Sequence, residues 1–139
     1  MVLMITSMFF FLIAVLFSLI YARIEFGLDK YWVELGKDPS NFWKNKYGKY
    51  TPYHVWMLGL DAIVNLPALY VARSIPLFLT CVLSFPLLED IFYFFWRGRW
   101  IGEDEWTVKD LGFVKIKGVV IPRWYIIAGV IITTLLAVA

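Results

Sequence analysis

The chain has 139 residues, of which 61% are hydrophobic and 19% aromatic, and its mean hydropathy is +0.72. A soluble domain carries about 45–50% apolar residues, so the excess points to lipid and away from a domain built round a water-facing core. The formal charge of +2 is small, and a lone cysteine, Cys81, excludes an intramolecular disulfide or a cysteine-based zinc site.

The first predicted element is an uncharged run from Val2 to Ala22, long enough to cross ~30 Å of hydrocarbon. No basic residue precedes it and no small-x-small cleavage site follows, so an uncleaved anchor is expected. The polar segment 23–54 comes next. Leu28, Tyr31, Trp32 and Leu35 recur at helical spacing behind Asp29 as a cap, with Gly36 as a stop. Asp38, Pro39, Phe42, Trp43 and Tyr47 repeat the pattern before Gly48. Both read as short amphipathic helices on the membrane surface. Their aromatics and lysines read as interfacial anchoring, not as a nucleic-acid interface.

A second span is predicted over Val55–Ala72 and a third over Ile75–Trp96, with only Arg73 and Ser74 between them. A helical hairpin follows from that spacing. The segment 97–123 is polar again, with weak alternation over Thr107–Lys117 around Asp110-Leu111-Gly112 suggesting a small hairpin. The last span starts between Val119 and Trp124, at about residue 121, and reaches Ala139, with Pro122 near its first turn. The fold class is therefore all-α: one domain over 1–139, an integral membrane four-helix bundle with short interfacial helices in its first cytoplasmic loop.

Of the 13 Lys and Arg residues, 12 lie in 23–54 and 97–123, and Arg73 alone lies on the other side. The positive-inside rule makes the two long segments cytoplasmic and puts both termini outside.

Three of the 11 acids, Asp61, Glu89 and Asp90, interrupt the predicted spans. A charge at that depth costs roughly 2.5–3.5 kcal/mol on insertion scales, so each calls for a partner or a purpose. Six residues in from its span boundary, Asp61 lies ~9 Å deep, and the antiparallel third span puts Glu89 and Asp90 at ~9–10 Å. His54, Asp61 and Asn65 share one helix face, as do Glu89, Tyr93 and Trp96, while Ser7, Ser18 and Glu25 form a stripe on the first span. Glu89 and Asp90 are adjacent and point about 100° apart, so one faces the bundle and the other pairs with Arg97 or a backbone donor. Together these stripes suggest a polar cavity open to the cytoplasm.

The candidate ligand or partner site is thus His54, Asp61, Asn65, Glu89, Asp90 and Tyr93. His54 also reads as an interfacial boundary residue, and Asp61 as a helix-packing hydrogen-bond partner. One histidine and two or three carboxylates are a donor set for iron, manganese or zinc, but His54 lies ~10 Å along the axis from Asp61. Neither a metal nor a cofactor is assigned. General acid chemistry on a lipid or isoprenoid, with Glu89 or Asp61 as the catalytic acid, is the alternative to binding a protein partner or a second copy of the chain. Gly129 and Thr133 form a small-xxx-small pair suited to helix packing.

The run Pro86-Leu-Leu-Glu-Asp-Ile-Phe-Tyr-Phe, with Glu89, Asp90, Tyr93 and Phe94, resembles a set of small prokaryotic membrane proteins carrying Glu-Asp before aromatic residues in a late span. Those proteins also enter their last span through Pro-x-Trp-Tyr, matched here by Pro122-Arg123-Trp124-Tyr125. The resemblance covers about the C-terminal third and implies a four-helix protein of a prokaryotic cell membrane, without implying an activity. A fainter similarity is to the membrane-type lycopene cyclases, whose Pro-x-Glu-Glu motif precedes aromatic residues in a span. Here an extra leucine separates Pro86 from Glu89, and Asp90 stands in place of the second Glu. That similarity implies that an acid pair after a proline can serve chemistry inside a membrane.

Overall fold

The computed structural model describes residues 2–36 and 52–139; the second amphipathic segment, 38–48, lies outside them. The described chain is mostly helical. In order it forms α1 (Val2–Glu34), α2 (Pro52–Ala72), α3 (Ile75–Arg97), α4 (Trp106–Leu111), β1 (Phe113–Ile116), β2 (Val119–Pro122) and α5 (Arg123–Val138).

Three helices are long and apolar enough to cross a membrane, over Ile5–Tyr31, Val55–Ala72 and Ile75–Arg97, with mean hydropathies of 2.3, 1.6 and 1.7. Their outward faces are apolar. On α1 the exposed side chains Ile5, Phe9, Leu12, Leu16, Ile20 and Ile24 recur every three or four residues, a continuous stripe along one side. At 16 residues α5 is about 24 Å long, shorter than the ~30 Å of a bilayer core. It starts at Arg123 because Ile121 and Pro122 belong to β2.

α3 is the central helix, packing against α1, α2 and α5. Its buried residues Leu77, Thr80, Cys81, Ser84, Phe85 and Glu89 follow the three-and-four spacing of one helix face. α1 meets α3 through a buried stripe of mostly small residues, Phe10, Ala14, Ser18 and Ala22, each four after the last. Small side chains let two helix backbones approach closely. Phe10, Ala14, Ala68, Leu77 and Cys81 form one core cluster, with Ala72 and Ala139 against it. The hairpin turn, the N-terminal half of α1 and the end of α5 therefore share one end of the bundle.

The turn between α2 and α3 is tight. Arg73 takes a left-handed conformation (φ 52°), and Ser74 caps α3 by accepting a hydrogen bond from the Leu77 backbone N–H at 3.2 Å. At the other end, Gly98 closes α3 in the left-handed region (φ 71°), its N–H bonded to the Phe95 carbonyl.

Two local expectations change. The segment around Leu28–Leu35 is not a separate helix: α1 runs unbroken to Glu34 and ends at Leu35-Gly36, where Gly36 has φ 67°. No strong breaker lies between Ala22 and Leu35, and the Asp29 side chain is engaged by Tyr93, so it does not cap a new helix. The hairpin after α3 is real but later than expected. Residues 106–111 are helical, and β1 pairs with β2 in antiparallel register from Phe113↔Pro122 to Ile116↔Val119. Lys117 (φ 49°) and Gly118 (φ 84°) form the two-residue turn with two positive φ angles that matches strand twist. Phe94, Ile101, Val108 and Val120 make a second small core under this hairpin, and the Trp100 indole N–H donates to the Val120 carbonyl at 2.7 Å.

Replacing Ser74 with Ala removes the α3 cap and should lower bundle stability by about 1 kcal/mol. Thermal unfolding in detergent, compared with wild type, measures this; an unchanged midpoint would show that the cap contributes nothing to the hairpin.

Candidate functional site

α1 and α3 run parallel, and their contacts repeat at a constant offset. Phe17 packs tilted and Tyr21 edge-on against Phe85, with ring centroids 5.2 and 5.5 Å from it. One turn further the Glu25 and Glu89 carboxyl groups hydrogen-bond to each other. One turn beyond that, the Tyr93 hydroxyl donates to Asp29. The pairs Glu25/Asp29 and Glu89/Tyr93, each spaced by four residues, thus interlock across the interface. Phe26 packs edge-on against Tyr93, and Arg23 lies 5.4 Å from the Trp96 ring centroid, so Glu89, Tyr93 and Trp96 all meet α1.

Glu89 faces α1; Asp90 faces α5. The Tyr125 hydroxyl donates to Asp90 Oδ2 at 3.0 Å, joining α5 to α3. Arg97 does not reach Asp90, because its guanidinium bonds Glu105 at 2.7 Å and lies over Tyr93 and Phe94. Arg99 bonds the same Glu105 oxygen at 2.7 Å. Glu105 therefore sits between two arginines that rim the basic end of the cluster.

Glu89 is only 6% exposed, and its Oε1 has no hydrogen-bond partner among the described residues. The other oxygen faces a second carboxyl group. A hydrogen bond between two carboxyl groups requires a proton on one of them, and two ionised carboxylates in contact repel. A proton shared between Glu25 and Glu89 satisfies that contact.

Asp61 and Asn65 form a pair within α2. Asn65 Nδ2 donates to Asp61 Oδ1 at 2.8 Å and to the Asp61 carbonyl at 2.9 Å, and both side chains are buried. The structure thus brings Glu89 and Tyr93 against α1 and Asp90 against α5, while Asp61 is bonded to Asn65 within α2. His54 lies in the first turn of α2, and its side chain is outside the described residues. Among the described residues no group of three or more His, Cys, Asp or Glu side chains is arranged to hold a metal ion.

Sequence reasoning left Glu25 in a polar stripe, read Asp29 as a cap and noted Tyr125 only in the Pro-x-Trp-Tyr run, outside the candidate site. A usable signal was present: if α1 continues past Ala22, Glu25 and Asp29 fall four residues apart on the face that already carries Ser18. A shallow groove of about 390 Å³ begins beside Tyr125 and runs along Gly129, Val130, Thr133 and Thr134 of α5. No protein family, curated protein or solved structure matches the chain.

Tyr125→Phe removes the donor to Asp90 with little change of shape, and a buried hydrogen bond to a carboxyl group is worth about 1.5–3 kcal/mol. The variant should unfold earlier in detergent by a corresponding amount. Glu89→Gln should not, because the Gln amide N–H donates to Glu25 in place of the shared proton; a large loss of stability in this variant would contradict the paired arrangement.

Proposed function

We propose that the chain is a small polytopic membrane protein, a four-helix bundle whose acid-lined site takes a cationic group from a ligand or protein partner, and that it works as a subunit of a larger membrane assembly. The observation that carries this reading is the Glu25–Glu89 pair: two facing carboxyl groups, one nearly inaccessible and with a further oxygen unpartnered. A lysine or arginine side chain, or an organic ammonium group, satisfies both carboxylates at once. Asp29, Asp90 and Tyr93 frame the same position.

Three apolar helices with exposed apolar stripes support membrane insertion. α5 completes the bundle as a short fourth span, its low length met by tilting neighbours or local thinning of the bilayer. Charge sets the orientation. Arg73 marks the outer end, together with Ala139 packed beside the hairpin, while Arg23, Lys30, Arg97, Arg99, Lys115, Lys117 and Arg123 crowd the cytoplasmic end. On that reading the acid site lies near the cytoplasmic surface, within reach of a soluble or membrane-embedded partner. Reporter fusions at Ala139 and within 97–123 should report opposite sides of the membrane; a cytoplasmic C-terminus would overturn the orientation.

Purification in mild detergent followed by native mass spectrometry should reveal an oligomer or a co-purifying subunit, lost in Glu89→Gln while the protein stays folded. A clean monomer with turnover of its own would refute the assembly reading. It would favour instead an enzyme acting on a lipid or isoprenoid with Glu89, or Asp61, as the acid. The Tyr125–Asp90 bond at 3.0 Å favours that second reading, because it orients a second carboxyl group beside the pair. In that case Glu89→Gln leaves an inserted protein without activity on lipid extracts, and full activity in both Glu89→Gln and Asp61→Asn excludes it.

A further inference from the structure

The groove on α5 is a surface that the Glu25–Glu89 pair does not use. It is lined by Tyr125, Ile126, Gly129, Val130, Thr133 and Thr134. These fall in two rows along the helix, Tyr125-Gly129-Thr133 and Ile126-Val130-Thr134, each stepping by four residues. Beyond Tyr125 the first row is small, while Ile126 and Val130 stand exposed in the second, so a trough follows the helix beside an apolar ridge. Gly129 gives the trough its floor. A Cβ there would meet nothing within 4 Å beyond the helix's own backbone, so a side chain at this position would project into the trough and not into the bundle. The Thr133 and Thr134 hydroxyls donate to the Gly129 and Val130 carbonyls at 2.7 and 2.9 Å. Both are satisfied within the helix, which leaves the trough fit for hydrocarbon.

Polarity changes at one end. Tyr125 lines the groove, and its hydroxyl donates to Asp90 at 3.0 Å. Asp90 is half-buried, and no lysine or arginine among the described residues pairs with it: Arg97 and Arg99 bond Glu105, and Lys115 bonds Glu103. A carboxylate at the edge of an apolar medium calls for a positive partner. From Asp90 and Tyr125 the groove leads down α5 as far as Thr134. That is nine residues, about 14 Å, close to half of the ~30 Å hydrocarbon core of a bilayer. The groove therefore has the length of one leaflet, with its acidic end near the start of α5.

Three features select the occupant. The trough is apolar over the length of one leaflet, it opens on a face of α5 whose neighbours Ile126 and Val130 are exposed, and it ends at an acid without a basic partner. A helix packed beside Gly129 answers the first two. A hydrocarbon chain with a cationic head answers all three. The head has to carry N–H donors, because a carboxylate is best satisfied by charge-assisted hydrogen bonds, and a primary ammonium supplies them. We propose that the α5 groove binds one chain of a membrane lipid whose primary ammonium headgroup pairs with Asp90. The proposal rests on the membrane bundle described above and is independent of what the Glu25–Glu89 pair takes.

Native mass spectrometry of the protein titrated with phosphatidylethanolamine or phosphatidylglycerol of identical chains, in mixed micelles, tests this, because only the first lipid carries the ammonium group. Phosphatidylethanolamine should bind about tenfold more tightly, as one hydrogen bond to a charged group implies. Asp90→Asn still accepts from Tyr125 and should erase the preference. Gly129→Leu fills the trough with a residue of better helix propensity than glycine and should abolish retention of either lipid. Thr133→Leu fills it from an exposed position and gives the same reading if the first variant does not fold. Equal affinity for the two lipids in the wild type would overturn the proposal, as would undiminished selective binding in both groove variants. A lipid-free dimer dissolved by Gly129→Leu would also overturn it, by placing a second copy of the chain in the groove. Lipid binding should survive Glu89→Gln, the variant that removes the assembly proposed above. Wild-type protein that keeps a co-purifying subunit but shows no lipid preference would sink the groove proposal alone.

Discussion

The close parallel packing of α1 on α3 governs the rest of the structure. Ala14, Ser18 and Ala22 present almost no side-chain volume, so the two backbones approach and the larger residues interlock above and below them. The offset set by that packing brings Phe85 against Phe17 and Tyr21, Glu89 against Glu25, and Tyr93 against Asp29. A shift of one residue along either helix would rotate each of these side chains by about 100° and separate every pair. A larger residue at Ala14 or Ala22 therefore acts on the acid site indirectly, by changing the register that assembles it.

The polar groups are distributed by level and not scattered. Near the hairpin end the core is apolar except for Thr80; farther from the turn come Asn65, Ser84 and Asp61; the opposite end carries the acids and tyrosines, and outside them the arginines. Arg23 and Arg97 spread their guanidinium groups over aromatic rings, a placement that keeps cations at the edge of an apolar medium without burying them. The acids thus lie next to a rim of bases.

Hydropathy and turn chemistry made the long helices readable: Arg73-Ser74 between two apolar runs allows little but a helical hairpin, and the acids inside an apolar run marked α3 as the helix to watch. The boundary of α1 was hidden because a helix leaving an apolar medium need not stop where its charges begin. Only a breaker or a competing cap ends it, and Asp29 looked like a cap until Tyr93, 64 residues away, took its side chain. The same non-local choice decided Asp90, whose partner could have been Arg97 on its own helix and is Tyr125 on another. The short hairpin was displaced because Lys117-Gly118, a weaker signal than Asn-Gly, fits the turn through a positive φ at a lysine.

The two-residue connection between α2 and α3 bears on how such a chain enters a bilayer during synthesis. It leaves α2 no way to cross while α3 remains in water, or the reverse, so the two helices have to be committed as a unit. α2 is the less apolar of the pair, with mean hydropathy 1.6 over its window, and carries Asp61 and Asn65. Already bonded to each other at 2.8 Å, these two side chains offer the lipid one screened polar group instead of two. The apolar α3 follows within a few residues and covers them. Lengthening the turn would uncouple the two events and leave the weaker helix to insert on its own hydropathy.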